Sequence, residues 1–319
     1  MKKRLLTVLM ILILLVTMMP MQAFAEKPDA EAGLKYLNIG DSIAAGLSAL
    51  PDDYFAHYAG YLGEEMLYRA YNGPGMLPNL PNPMMWTDGA VNLGFPGLDS
   101  MELLEQLEAT TPNALQLFVA QADVITISIG GNNLLTPVIT SVFQMYGLMP
   151  GIHNEVELMV AITGYGENVW NANLDLFTMS ALSSEPGSLG WWLETRTAQF
   201  LEDWPAILDK IEDLNPDAQI IAMTLYNPIE KADNEALFNR YEELVRPMNM
   251  AMRMTQNRAA LANVANAFRK EPDAVAFRLT WMDAGMMMPP VLIDPHPTTL
   301  GHQLIFEELM KVRNPMSFK

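Results

Sequence analysis

Ala122-Asp123-Val124-Ile125-Thr126-Ile127-Ser128-Ile129-Gly130-Gly131-Asn132-Asn133 is a β-branched run that stops on two glycines and two asparagines. Val124, Ile125, Ile127 and Ile129 give a strand with no exposed polar face, as expected where a strand is covered on both sides. Two similar runs flank it. Leu34-Lys35-Tyr36-Leu37-Asn38-Ile39 reads as a short strand ended by Gly40, and Gln219 to Leu225 as another. Ala90-Val91-Asn92 and Ala274 to Phe277 are weaker strand candidates.

Helical stretches fall between these runs. They are expected over 54–67, with Tyr54, Tyr58 and Tyr61 on one face, and over 100–121 with a break at Thr111-Pro112. Further helices are expected over 200–214, over 234–270 with a break at Pro247, and over 299–312 capped by Thr298 or Thr299. Residues 72–89, with four prolines and three asparagines, read as a loop. Residues 134–200, which hold Trp170, Trp191 and Trp192, read as an irregular, partly helical insertion. Alternating strands and helices predict an α/β fold of three layers, α/β/α, on a mostly parallel sheet.

The N-terminus reads as a secretory leader. Lys2, Lys3 and Arg4 precede the apolar run Leu5 to Met19, and Ala23-Phe24-Ala25 supplies a small-x-small cleavage pattern. The expected organisation is a leader over 1–25 and a single domain over 26–319, with an insertion or lid around 134–200. The expected location is extracellular, with no integral membrane span after cleavage. The uncharged stretch Val124 to His153 is too interrupted by Gly130-Gly131, Pro137 and Gly147 to read as a span. The chain has 19 Lys+Arg against 37 Asp+Glu, a net charge of −18, which disfavours nucleic acid as a partner. With no cysteine, thiolate catalysis and Cys-bound zinc are excluded. There are four histidines and no His-Glu-x-x-His, so neither a metal nor a cofactor is expected.

In open α/β sheets, ligands bind at the carboxyl ends of strands. Polar turns stand at such positions: Gly40-Asp41-Ser42, Asn92 to Gly97, Gly130-Gly131-Asn132-Asn133, and Asp294-Pro295-His296-Pro297 before the last helix. Each is ordinary alone; Ser42 could be a helix cap, and His296 and Asn132 turn residues. Their order and spacing resemble the four blocks of the GDSL, or SGNH, hydrolase family. The match runs from Gly40-Asp41-Ser42 to Asp294-Pro295-His296-Pro297-Thr298-Thr299-Leu300-Gly301-His302, over residues 34–302. The family's third block ends in Asp where this chain has Asn133, and its last block has one residue more between Asp and His.

The resemblance implies a flavodoxin-like sheet and ester hydrolysis by a serine. Ser42 would be the nucleophile, His296 its base, and Asp294 the acid that orients the base, with Asp283 or a backbone carbonyl as the alternative. Backbone N–H groups of Ser42 and Gly97 and the side-chain amide of Asn132 would form the oxyanion hole. Asp41 would be a turn or supporting residue. Acyl lipids or small acyl esters lead as substrates. The uncharged segment Leu134 to Pro150 is expected to line an acyl pocket or act as a lid, and Met248, Met250, Met252, Met254 and Met286 to Met288 to offer an adaptable apolar surface or to fill the core. The alternatives are a deacetylase of extracellular or cell-wall glycan, and an inactive binding protein on the same scaffold.

Overall fold

The structure, a computed structural model, describes residues 35–47, 89–282 and 290–313. The leader, the expected helix over 54–67, nearly all of the proline-rich loop, Asp283 and Met286 to Met288 lie outside the described residues.

Five parallel strands form one sheet: β1 (Tyr36–Gly40), β2 (Ala90–Gly94), β3 (Val124–Ser128), β4 (Gln219–Met223) and β5 (Ala259–Ala262), in the order β2-β1-β3-β4-β5. Tyr36 pairs with both Ala90 and Val124, so the three strands that carry the site run in register and end level with one another. The alternation of side chains divides the interior in two. Leu37, Ile39, Ile125, Ile127 and Ile220 face one apolar cluster, and Tyr36, Val124, Ile221, Met223 and Ala262 the other.

Helices cover both faces. After the one-turn helix α1 (Ser42–Ala45) come α2 (Ser100–Glu108), α3 (Ala114–Val119), α4 (Gly131–Met145), α5 (Glu155–Tyr165), α6 (Glu167–Leu182), α7 (Leu189–Leu214) and α8 (Glu235–Met254). Leu103, Leu115, Phe143, Phe200, Trp204, Ile207 and Met248 from this set pack on the first cluster. The helices α9 (Val264–Lys270) and α10 (Thr299–Val312) close the other face with Phe268, Ile305 and Leu309. The expected three-layer α/β fold is therefore present. No helix of the described residues is long and apolar enough to cross a membrane.

Several expectations need correction. The segment 274–277 is not a strand: Val275 makes only a single antiparallel bridge to Pro297. The fifth strand is Ala259–Ala262, inside what reads as helix. Alanine favours helix in isolation, but here Ala259 and Ala262 fill narrow positions on opposite faces of the sheet edge, and tertiary burial decides. Pro247 does not break α8, which runs on to Met254. Leu244 and Val245 before the proline and Met248 and Met252 after it are all buried, and that shared face offsets the lost backbone hydrogen bond. The stretch 134–200 is regular helix through most of its length, with Pro137 carried inside α4, and α7 begins at Leu189 rather than near 200. Side-chain caps at Asn154 and Ser188 start α5 and α7 where the scattered glycines suggest irregular chain.

Candidate active site

The site begins where β1 meets β3. Gly40 has φ +128, and a Cβ there would stand 1.8 Å from the Ser128 carbonyl oxygen, so only glycine fits. The chain then turns sharply. Asp41 N–H donates to Ser128 O, and Asp41 Oδ1 accepts from Ile43 N at 3.0 Å and from Ser128 Oγ at 2.9 Å. Asp41 thus caps α1 and sets Ser42 as its first residue. Burial pushes the Asp41 carboxyl up to about 6, against the opposing pull of these hydrogen bonds and of nearby His296.

Two strand asparagines hold the same turn from below. Asn38 Nδ2 and Asn92 Nδ2 both donate to Ala44 O, at 2.8 and 3.0 Å. Asn38 in turn accepts from Thr126 Oγ1, which bonds to the Tyr36 hydroxyl. Such a fully paired buried chain fixes one geometry for the turn.

His296 arrives from the loop before α10. Its Nε2 lies 2.8 Å from Ser42 Oγ, across 254 positions of sequence. Its Nδ1 lies 2.5 Å from Asp294 Oδ1, which also accepts from the His296 backbone N–H at 3.0 Å. The two-residue spacing is therefore enough: the carboxylate folds back in a tight turn and reaches both nitrogens. With the proton on Nδ1, both contacts are satisfied and Nε2 is left to accept from the serine. Tyr226 OH donates to Pro295 O at 2.7 Å and ties this loop to the end of β4. Ser42 is 5 % exposed, while the Asp294 side chain is 54 % exposed.

Asn132 stands in the first turn of α4, beside the C-terminal end of β3. Its Nδ2 donates to Leu98 O at 3.0 Å, which joins it to the segment after β2 that holds Gly97. An Asn amide has a second N–H for another acceptor. Gly97 is exposed at φ +90, with no heavy atom within 4 Å of where a Cβ would stand. Asn133 points away, fully buried against Ser100. His302 is also buried, with Nε2 3.0 Å from Leu47 O, and does not join His296. A small apolar hollow of about 40 Å³ lies at the ends of β3 and β4, between Ile43, Gly131, Leu135, Tyr226 and Pro295.

The GDSL-like lipase/acylhydrolase family model matches residues 39–304, a span that starts just before the serine turn and ends inside α10. The chain belongs to this family. As a GDSL-like chain it shares its fold with a solved lipase at low identity. The lipase Lip_vut3 from a goat rumen metagenome is 16 % identical at a TM-score of 0.50, with 88 % of this chain and 97 % of that one covered. Phospholipase A1 from Streptomyces albidoflavus NA297 is 13 % identical at a TM-score of 0.47, covering 88 % and 100 %. The extracellular lipase from Streptomyces rimosus is 14 % identical at a TM-score of 0.46, covering 88 % and 100 %. No curated protein matches the chain.

The structure brings Ser42, His296 and Asp294 into one line, with Asn132 and Gly97 on segments that join each other through Leu98. Asn38, Thr126, Ser128 and Tyr226 were missed in the sequence. The signal available for the first three was their polarity inside runs that read as doubly buried strands.

Proposed function

We propose that the chain is a secreted serine esterase that hydrolyses carboxylic esters through an acyl-Ser42 intermediate. One observation carries this reading: Ser42 Oγ, His296 Nε2 and Nδ1, and Asp294 Oδ1 form a continuous hydrogen-bonded line at the carboxyl edge of the sheet. A serine hydroxyl is a weak nucleophile until a base takes its proton. His296 Nε2 would take that proton as Oγ attacks the ester carbonyl carbon, and Asp294 would stabilise the imidazolium formed. The developing oxyanion would be met by the N–H groups of Ser42 and Gly97 and by Asn132 Nδ2. His296 would then return the proton to the leaving alkoxide. Water, deprotonated by the same imidazole, would release the acid and restore Ser42. Secretion rests on the leader-like residues 2–25.

The hollow beside Ile43 and Pro295 is lined mainly by apolar side chains, which supports an acyl group as the part of the substrate held there. A second reading, deacetylation of a glycan, is favoured by the open groove between α4 and α7. It has a volume of about 630 Å³, and its walls include Thr136, Thr140, Gln144, Trp192 and Arg196. Its hydroxyls and amide could bond sugar hydroxyls, and the exposed indole with Pro137, Met145 and Leu189 could pack on a sugar's apolar face.

The test is hydrolysis of p-nitrophenyl esters from acetate to palmitate, with Ser42→Ala as control. Turnover greatest on acetate or butyrate and lost in the variant supports a short-chain esterase. A peak at palmitate favours lipid substrates. No turnover on any ester from folded protein overturns the esterase reading.

A further inference from the structure

A second buried polar cluster lies behind the oxyanion side of the site, and the mechanism above makes no use of it. Asp203, on the fifteenth residue of α7, is 4 % exposed, and no cation pairs with it among the described contacts. Its carboxylate accepts two short hydrogen bonds, from Ser100 Oγ at 2.6 Å and from Gln199 Nε2 at 2.7 Å. Burying a carboxylate is costly unless such charge-assisted bonds compensate it.

The bonds run in one direction. Because Ser100 gives its hydroxyl hydrogen to Asp203, its oxygen is turned to accept, and Asn133 Nδ2 donates to it at 2.8 Å. Ser100 N–H meanwhile donates to Asn133 Oδ1 at 3.1 Å. The two bonds clamp the start of α2 to the start of α4 and leave Asn133 a single orientation. Asn133 Nδ2 also reaches Arg196 O at 3.3 Å. Arg196 itself pairs with Asp99 at 3.3 Å, so Arg196 and Asp203, on one face of α7, grip Asp99 and Ser100 at the start of α2, while Gln199 braces the Asp203 carboxylate from within α7.

The clamped segments are those that carry the proposed oxyanion donors. Asn132 adjoins Asn133, Leu98 adjoins Asp99 and accepts from Asn132, and Gly97 comes next. We propose that Asp203 is a positioning residue: acting through Ser100 and Asn133, it sets the separation between Gly97 N–H and the Asn132 amide on which the oxyanion would rest. This inference rests on the serine-esterase reading. Oxyanion stabilisation depends on donors fixed in place beforehand, and a displacement near 1 Å costs on the order of a hundredfold.

The experiment compares Asp203→Ala, Asp203→Asn and Ser100→Ala with the parent full-length chain on p-nitrophenyl acetate. Rates are expressed per Ser42 titrated with a fluorophosphonate, so that only folded, reactive protein counts. The inhibition constant of a trifluoromethyl ketone, whose adduct carries the oxyanion, is measured beside them. Expected for Asp203→Ala and Ser100→Ala is a fall in kcat of about ten- to a hundredfold with KM within twofold, and a matching rise in the ketone's inhibition constant. Asp203→Asn, which keeps an oxygen acceptor for Ser100, should recover most of kcat. A merely structural Asp203 would lower Tm and leave kcat per titrated serine and ketone affinity unchanged, and that result overturns the inference. If the parent is active, Ser42→Ala is dead and both alanine variants keep kcat within twofold, this inference alone falls. If Ser42→Ala keeps the parent's turnover, the esterase reading falls and takes the inference with it.

Discussion

Replacing Asp294 should weaken the site moderately. The carboxylate accepts from His296 Nδ1 and from the His296 backbone N–H through one oxygen. A hydrogen bond to a charged group contributes about 1.5–3 kcal/mol. The Asp294 side chain is 54 % exposed, so water screens its charge and the lower half of that range applies. About 1.5–2 kcal/mol of lost transition-state stabilisation corresponds to roughly a ten- to thirtyfold fall in kcat for Asp294→Ala. A buried acid in the equivalent role is worth about 10⁴. Asp294→Asn should be no better than alanine, because its NH₂ can face Nδ1 and favour the tautomer that presents Nε2–H to Ser42. The assay is kcat and KM on p-nitrophenyl acetate per titrated serine, with KM expected to stay within twofold. Full activity in Asp294→Ala would remove Asp294 from the account. A loss near 10⁴ would refute the screening argument, and an asparagine variant clearly faster than alanine would refute the tautomer argument.

Asn132→Ala should lower kcat by about 10²–10³ with KM nearly unchanged, and a variant of full activity would exclude Asn132 as an oxyanion donor. Asp41 titrates near 3.9 when unfolded, and its folded carboxyl is raised to about 6 by burial. The native state therefore binds more protons in that interval, and Asp41's contribution is present below about pH 4 and lost as pH rises through 6. Asp41→Asn, which keeps the Oδ1 acceptor for Ile43 and Ser128, should gain up to about 3 kcal/mol over the parent above pH 6 and nothing at pH 4. Melting curves at pH 4 and pH 8 check this, and a difference independent of pH would contradict it. Trp204 is fully buried, stacks on Phe200 at 6.1 Å and donates Nε1 to Thr255 at 2.9 Å. Trp204→Ala should cost about 3–5 kcal/mol in urea unfolding, and an unchanged midpoint would mean the first apolar cluster is not where stability resides.

The parts of this fold that can be read from sequence are those where one physical signal dominates. The strands β1, β3 and β4 are apolar runs buried on both faces, and Gly40 and Gly130 end the first two with positive φ that few other residues accept. Thr298 caps α10 as its position suggests. Signals fail where tertiary packing overrides local preference. Ala259–Ala262 is helix-favouring chain recruited to a sheet edge, and α8 passes through Pro247 because its buried face is continuous on either side. At the site, Ser42, His296 and Asn132 are legible as a spaced set, and none of them alone. The contact of Asp294 with His296 depends on a turn whose reach sequence spacing does not reveal. Asp203 is invisible for a different reason. Its partner Ser100 is about a hundred residues earlier, and only the crossing of α7 over the start of α2 unites them.

As the proposed nucleophile, Ser42 becomes acylated during turnover. The most direct measurement is mass spectrometry of the full-length protein quenched within milliseconds of mixing with p-nitrophenyl acetate. One acetyl group should appear on the peptide that contains Ser42, disappear as turnover proceeds and be absent in Ser42→Ala. Ester turnover with no adduct at Ser42, or an adduct on another residue with Ser42→Ala still active, would contradict it.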